Sequence, residues 1–251
     1  MMDAIPAKAL PPPPEDDPPV RAEIRRGLMV SVPMTLGVLP AALVLGAQAA
    51  QKGLTVLEVP LLAGLNFAGG SEFAAIGVWE SPPPVLLIAA ITLLINSRHI
   101  LMGAALAPHI QHLPRRQALP VLFLMCDESW VLALTDARRR AAAGQRPAFS
   151  LAYYLALALV FYATWIVFTA LGSLLGPVLG DVRAYGLDMA FPAIFLVLLR
   201  GLWKGAHAAR PWLVSLAVAA LTYLLIPGAW YVAAGALSGL AAAWLLAEPA
   251  R

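Results

Sequence analysis

Charge is scarce in this chain. Of its 251 residues, 12% are charged and 61% hydrophobic, and the mean hydropathy is +0.78. An ordinary soluble domain carries about 25% charged residues, and a chain of this length has too little interior to hide so much apolar surface from water. That excludes a soluble enzyme, a disulfide scaffold and a disordered chain. Lysine is rarer still, three against fourteen arginines, and no basic stripe with interleaved aromatics exists, so no nucleic-acid partner is expected. Cysteine occurs once, as Cys126 in an apolar stretch, which rules out an intramolecular disulfide and a paired-cysteine metal or redox motif. Cys126 reads as a small core hydrophobe. His109 and His112 stand three apart between Pro108 and Pro114 and read as exposed loop histidines rather than a metal arm, so no metal and no cofactor are expected.

What is present is a series of apolar blocks of membrane-crossing length, about 20 residues each. They run Gly27–Ala50, Leu57–Trp79, Pro84–Ala107, Ala118–Thr135, Phe149–Leu175, Tyr185–Trp203, Pro211–Ile226 and Trp230–Ala247. None alternates as barrel strands do. The fold class is therefore an all-α integral membrane protein, a polytopic bundle of 7–8 transmembrane helices set in lipid. Seven remains open because the fourth block is short and polar in its middle and the last two are joined by Pro227 and Gly228 alone. Residues 1–26, with seven prolines between Pro6 and Pro19, read as a disordered, uncleaved cytoplasmic tail; 27–247 form the transmembrane domain and 248–251 a short cytoplasmic end.

Basic residues predict the orientation. With the N-terminus cytoplasmic, that side holds Lys8, Arg21, Arg25, Arg26, Arg138, Arg139, Arg140, Arg146, Arg200, Lys204, Arg210 and Arg251, against Lys52, Arg115, Arg116 and Arg183 on the other. Arg115 and Arg116 are the exception to an otherwise clean asymmetry. Gly172, Gly176 and Gly180, and likewise Gly235 and Gly239, recur every fourth residue and suit close helix packing. Pro33, Pro40 and Pro192 are expected kinks. Gly64-Leu65-Asn66-Phe67-Ala68 echoes Gly186-Leu187-Asp188-Met189-Ala190, a five-residue hint of an internal repeat.

Polar groups at membrane depth cost about 2.5–3.5 kcal/mol each when charged, so each needs a partner or a task. The inventory is short: Asn66, Glu72, Asn96, Arg98, His99, Asp127, Glu128 and Asp188. The adjacent Gly69 and Gly70 predict an interrupted helix between Phe67 and Glu72, where amide and carbonyl groups would face a ligand. Arg98 offers a planar fork for a carboxylate, either a substrate's or that of Asp127 or Glu128. Asp127 and Glu128, adjacent on one helix, are expected to point in different directions, one to a cavity and one to an interface. Sharing a cavity, such carboxylates would exchange protons near neutral pH. These residues divide into a candidate substrate set (Arg98, Asn96, Asn66, Gly69, Gly70) and a candidate proton-coupling set (Glu72, His99, Asp127, Glu128, Asp188). A membrane-embedded enzyme using Asp127, Glu128 and His99 is the alternative class, lacking a nucleophile.

Several of these stretches resemble the AzlC family, the large subunits of bacterial branched-chain amino acid exporters. They are Gly27 to Pro40, Phe67 to Ala75, Ile95 to Pro108, Asp127-Glu128-Ser129 and Gly186 to Leu196. The likeness extends over residues 22–247. It implies efflux of small hydrophobic amino acids across a bacterial inner membrane, driven by the proton gradient, with a small, separate multi-span subunit as partner. Glu72 departs from the family pattern, which commonly has glutamine there, and this opens export of another small metabolite as a second expectation.

Overall fold

The structure, a computed structural model, describes residues 18–179, 205–226 and 230–246, together with isolated positions between 186 and 203. Asp188, the Gly186–Ala190 half of the sequence echo, Gly180, Pro192 and the proline-rich residues 1–17 lie outside it or in its gaps.

Every regular element described is helical. Two long rods form the spine: α1 (Val20–Gln51) and α8 (Leu151–Leu179). Glycine lets their backbones meet. Gly27 lies against Tyr153, Ala156 and Leu157, Gly46 against Thr169 and Ser173, and Gly176 against Ala47. The partner numbers climb together, so the rods run parallel, and any Cβ at Gly46 or Gly172 would strike the carbonyl of Thr169 or Leu43. The four-residue glycine spacing thus serves a seam inside the chain. Gly235 and Gly239 do the same between the last two elements, α9 (Arg210–Leu225) and α10 (Trp230–Leu245), where they pack on Ser215, Ala219 and Pro211.

Between the spine rods come three interrupted segments. The first is α2 (Glu58–Asn66) and α3 (Gly70–Gly77), separated by Phe67 in the left-handed region (φ 44°) and Gly69 (φ 51°). The break expected at the paired glycines is therefore present. The second is α4 (Val85–Asn96) and α5 (Arg98–Ile110), a nearly continuous rod whose turn tightens at Ser97. It runs through Pro108 and His109, which places His109 on a helix rather than in the expected loop. The third is α6 (Arg115–Phe123) and α7 (Asp127–Ala142), broken at Leu124–Cys126.

Two blocks read from sequence as full crossings are instead hairpins. At a rise of about 1.5 Å per residue, α2 and α3 reach only about 12–14 Å each, half of a hydrocarbon core about 30 Å thick. Their outer ends meet. Lys52, capping the end of α1, donates from Nζ to the carbonyl of Trp79 just beyond α3 at 3.2 Å. The chain between 58 and 77 therefore enters from the far end of the bundle and returns there. The α6–α7 pair mirrors it from the N-terminal end: His112 and Leu113, just before α6, share one cavity wall with Arg140 near the end of α7 and with Pro18, Val20 and Glu23. Arg115 and Arg116 consequently lie at the same end as Arg26 and Arg140, which removes the exception in the basic asymmetry.

Among the described residues, three segments, Val20–Gln51, Val85–Ile110 and Leu151–Gly176, are long and apolar enough to cross a membrane. α1 also begins earlier than expected. Pro19 precedes the first turn, where a missing N–H costs nothing, and Glu23 pairs with Arg26 one turn on, so residues 20–26 are helix and not tail.

The glycine seam yields a test. Gly46→Leu and Gly172→Leu should each cost at least about 1–3 kcal/mol by overpacking, seen as a lower thermal midpoint in detergent or loss of the folded species. Gly37→Leu, with nothing within 4 Å of its Cβ position, should leave the midpoint unchanged or slightly raised.

Candidate functional site

The two hairpins point their broken tips at one another, and the tip residues border a cavity of about 50 Å³. Its wall comprises Phe67, Ala68, Gly69 and Gly70 from the first break, Cys126, Asp127 and Glu128 from the second, Val38 and Ala41 from α1, and Phe161 and Trp165 from α8. A helix begins on each side of it, α3 at Gly70 and α7 at Asp127. Their first-turn N–H groups have no acceptor within the helix, and both macrodipoles present positive ends to the cavity.

Arg98 ties the two tips together. Its Nη2 donates to the carbonyl of Ala68 in the first break at 2.9 Å and pairs with Asp127 Oδ2 in the second at 2.9 Å. Of the two roles read from sequence, the ion pair to Asp127 is the one realised here. Arg98 reaches this point because α5 starts with it, one residue after the tightened turn at Ser97.

Behind the first break runs a chain of amides. Asn96 Nδ2 donates to Asn66 Oδ1 at 2.9 Å, and Asn66 Nδ2 donates to Ser71 Oγ at 2.8 Å. Asn66 and Asn96 therefore brace the break, while Gly69 and Gly70 form the cavity wall itself. His99 is not among the residues that line the cavity; its Nδ1 lies 3.2 Å from the Asn96 carbonyl.

Glu72 is fully buried in the first turn of α3. The indole Nε1 of Trp165 donates to its Oε2 at 2.7 Å, and the backbone N–H of Ala68 approaches Oε1 at 3.4 Å. The carboxyl thus stitches the break to α8. Its link to the cavity runs through Trp165, which lines it. The second break is closed differently: the Cys126 N–H donates to Ser129 Oγ at 2.9 Å, and that hydroxyl lies 3.2 Å from the Leu124 carbonyl. Tyr162 and Tyr154 pin the hairpins from α8, their hydroxyls donating to the carbonyls of Gly64 at 2.9 Å and Val121 at 2.7 Å.

Of the residues singled out from sequence, the structure gathers Asn66, Gly69, Gly70, Glu72, Asn96, Arg98, Asp127 and Glu128 at or directly behind one cavity. His99 stands beside it, and Asp188 lies outside the described residues. One expectation is corrected. Asp127 and Glu128 both border the cavity, because they occupy the first turn of α7 at an open helix end and not the side of a continuous rod. Sequence reasoning also missed the second break and the bracing roles of Trp165, Ser71 and Ser129. A signal for that break was present: paired acids followed by an apolar run, with Ser129 three residues after Cys126, mark a helix N-terminus.

An apolar cavity at mid-bundle, bounded by two broken helices whose tips are joined by the half-buried Arg98–Asp127 pair, defines a membrane protein with a polar site at depth. The family model described as "AzlC protein" matches residues 33–179, and the chain belongs to the AzlC family. It is 31% identical, over 87% of its own length and 93% of the relative's, to an uncharacterized membrane protein of Archaeoglobus fulgidus. It is 24% identical to inner membrane protein YgaZ of Escherichia coli, over 72% of this chain and 74% of that one. It is 21% identical to the branched-chain amino acid transport protein AzlC of Bacillus subtilis, over 91% and 87% of the respective lengths. No solved structure matches the chain.

The Trp165–Glu72 contact is testable by a double-mutant cycle. Trp165→Phe should cost about 1–3 kcal/mol, because it removes a donor from a buried carboxyl. In a Glu72→Gln background the same change should cost clearly less, with both read from thermal midpoints in detergent.

Proposed function

We propose that this chain is a secondary active transporter that exports branched-chain or related small hydrophobic amino acids, coupled to the proton gradient across a bacterial inner membrane. The observation that carries this reading is the character of the cavity. It is apolar on the α1 and α8 side, where Val38, Ala41 and Phe161 stand, and carries the carboxyls of Asp127 and Glu128 at the second tip, with Arg98 paired to Asp127 next to the wall. A zwitterion with a small apolar side chain has the complementary pattern. Its carboxylate meets the start of α3 and Arg98, its ammonium meets Asp127 and Glu128, and its side chain rests on the apolar wall. The family's association with transport, and the transport named for the Bacillus subtilis relative, support the same reading.

A cavity of about 50 Å³ has room for a few water-sized groups. Binding an amino acid therefore widens it, and the hairpin tips are the elements that separate. In the cycle we infer, the substrate carboxylate displaces Asp127 from Arg98, and one of Asp127, Glu128 or Glu72 exchanges a proton as the site opens alternately to the two sides. His99 and Asp188 remain further candidates for that relay. The basic residues gathered at the N-terminal end support a cytoplasmic N-terminus. A small multi-span subunit acts as partner. Glu72, in place of the glutamine common in the family, favours a second reading in which a more polar metabolite is exported.

The test is reconstitution with and without a candidate small subunit, measuring counterflow of labelled leucine, isoleucine and valine under an imposed pH gradient. The expected result is gradient-dependent flux, reduced about tenfold or more in Arg98→Gln, because losing a hydrogen bond to a charged group costs about 1.5–3 kcal/mol. Glu72→Gln should alter the substrate profile or pH dependence of that flux. Absence of gradient-dependent flux for every amino acid would overturn the reading, and chemical turnover of a substrate would replace it with an enzyme.

A further inference from the structure

A second cluster of charge lies away from the site, where α1, α7 and α8 meet at the N-terminal end of the bundle. Asp136 on α7 accepts from Arg26 on α1 through both oxygens, with Nη2 3.0 Å from Oδ2. The same guanidinium holds Glu23, with Nη2 2.6 Å from Oε2 and Nε 3.2 Å from Oε1. Arg140, one turn beyond Asp136, reaches back to Glu23 Oε2 at 3.3 Å. Arg139 touches Asp136 from the solvent side at 3.5 Å, and the Arg26 guanidinium sits 4.1 Å from the ring centre of Tyr153 on α8. The side chains of Glu23, Asp136 and Arg140 are only 7–8% exposed. Beside the cluster opens a cavity of about 280 Å³ walled by Pro18, Glu23, His112, Arg140 and Phe149.

The geometry points to a clasp: this network holds the base of the α6–α7 hairpin against the α1–α8 spine, and its release opens the site cavity toward the N-terminal face. Three observations converge on it. The hairpin is the thinly packed partner, meeting α5 and α8 through small patches, whereas α1 and α8 interlock along their whole length. Interlocked glycine seams have no alternative arrangement, but ion pairs exchange one another for water when a segment swings out. The lever is direct as well. Asp136 and the tip at Cys126 lie on one α7 run, ten residues and about 15 Å apart, so movement at the base is delivered to the cavity wall. The already open space beside the cluster lies on the path that movement would clear. This inference rests on reading the cavity as the transport site, but its test measures access and not flux, so the two fail separately.

The chain's one cysteine supplies the probe, because Cys126 is buried and lines the cavity. A membrane-impermeant charged maleimide is applied to either face of sealed vesicles. The N-terminal face is identified in the same vesicles by protease protection of an N-terminal tag, and Cys126→Ala serves as the blank. Wild type should label slowly from both faces. Asp136→Asn should speed labelling about tenfold from the N-terminal face alone, corresponding to about 1.4 kcal/mol removed from the closed state.

Asp136→Glu should return toward the wild-type rate. Arg139→Gln, whose side chain is 73% exposed, should not change it. If Asp136→Asn does not fold, Arg140→Gln, which removes the α7 partner of Glu23, is read in the same way. An unchanged rate in the folded variant, or a rise of equal size from both faces, would overturn the clasp.

Discussion

Inside a bilayer there is no water to satisfy a broken helix, and this constraint governs the middle of the molecule. Two chain breaks, at Phe67–Gly69 and Leu124–Cys126, expose amides and carbonyls at mid-bundle, and nearly every polar side chain there answers to them. Arg98 takes the Ala68 carbonyl, Glu72 takes the amide of Ala68, and Ser129 closes the second break, while Asn66 and Asn96 brace the first through Ser71. The residues that look functional are thus also those that make the breaks tolerable. Fold and candidate site use the same few atoms.

The second consequence is a division of labour. The α1–α8 spine is joined by backbone-close glycine contacts that leave no slack. The hairpins enter from opposite ends, each about half a membrane deep, and are tied to that spine by hydrogen bonds from Tyr154, Tyr162 and Trp165 toward their tips and, at the base of the second, by the Arg26–Asp136 and Arg140–Glu23 pairs. A rigid pair of rods with two light inserts meeting at a half-buried ion pair is suited to opening on one side at a time. Under the transport reading proposed above, the chemistry of the cavity, apolar toward the spine and acidic at the second tip, would place recognition where the two hairpins meet.

Much of this was legible in the sequence. Composition and block length gave an all-helical membrane protein, the two adjacent glycines marked the first break, and the polar inventory named most of the residues that converge. Glycines at four-residue spacing correctly signalled close packing. The depth of each block was not legible. Leu57–Trp79 and Ala118–Thr135 are as long as crossings, and a hydropathy count does not distinguish a segment that crosses from one that enters and returns, because both are apolar throughout. The contact of Lys52 with Trp79, and the wall shared by His112 and Arg140, are long-range facts that no local pattern encodes. Asp127 and Glu128 were misdirected for the same reason: on a continuous rod adjacent residues diverge, but at a helix start both face the opening.

The central claim is that these two blocks enter and return from opposite faces, and labelling of single cysteines in a Cys126→Ala background tests it most directly. Thr55→Cys and Glu80→Cys flank the first hairpin, and Gln111→Cys and Ala143→Cys flank the second; all four positions are exposed. The account predicts that an impermeant maleimide reaches the first two from one face and the last two from the other, the face that carries the N-terminus. Labelling of Thr55→Cys and Glu80→Cys from opposite faces, or of Gln111→Cys and Ala143→Cys from opposite faces, would contradict it.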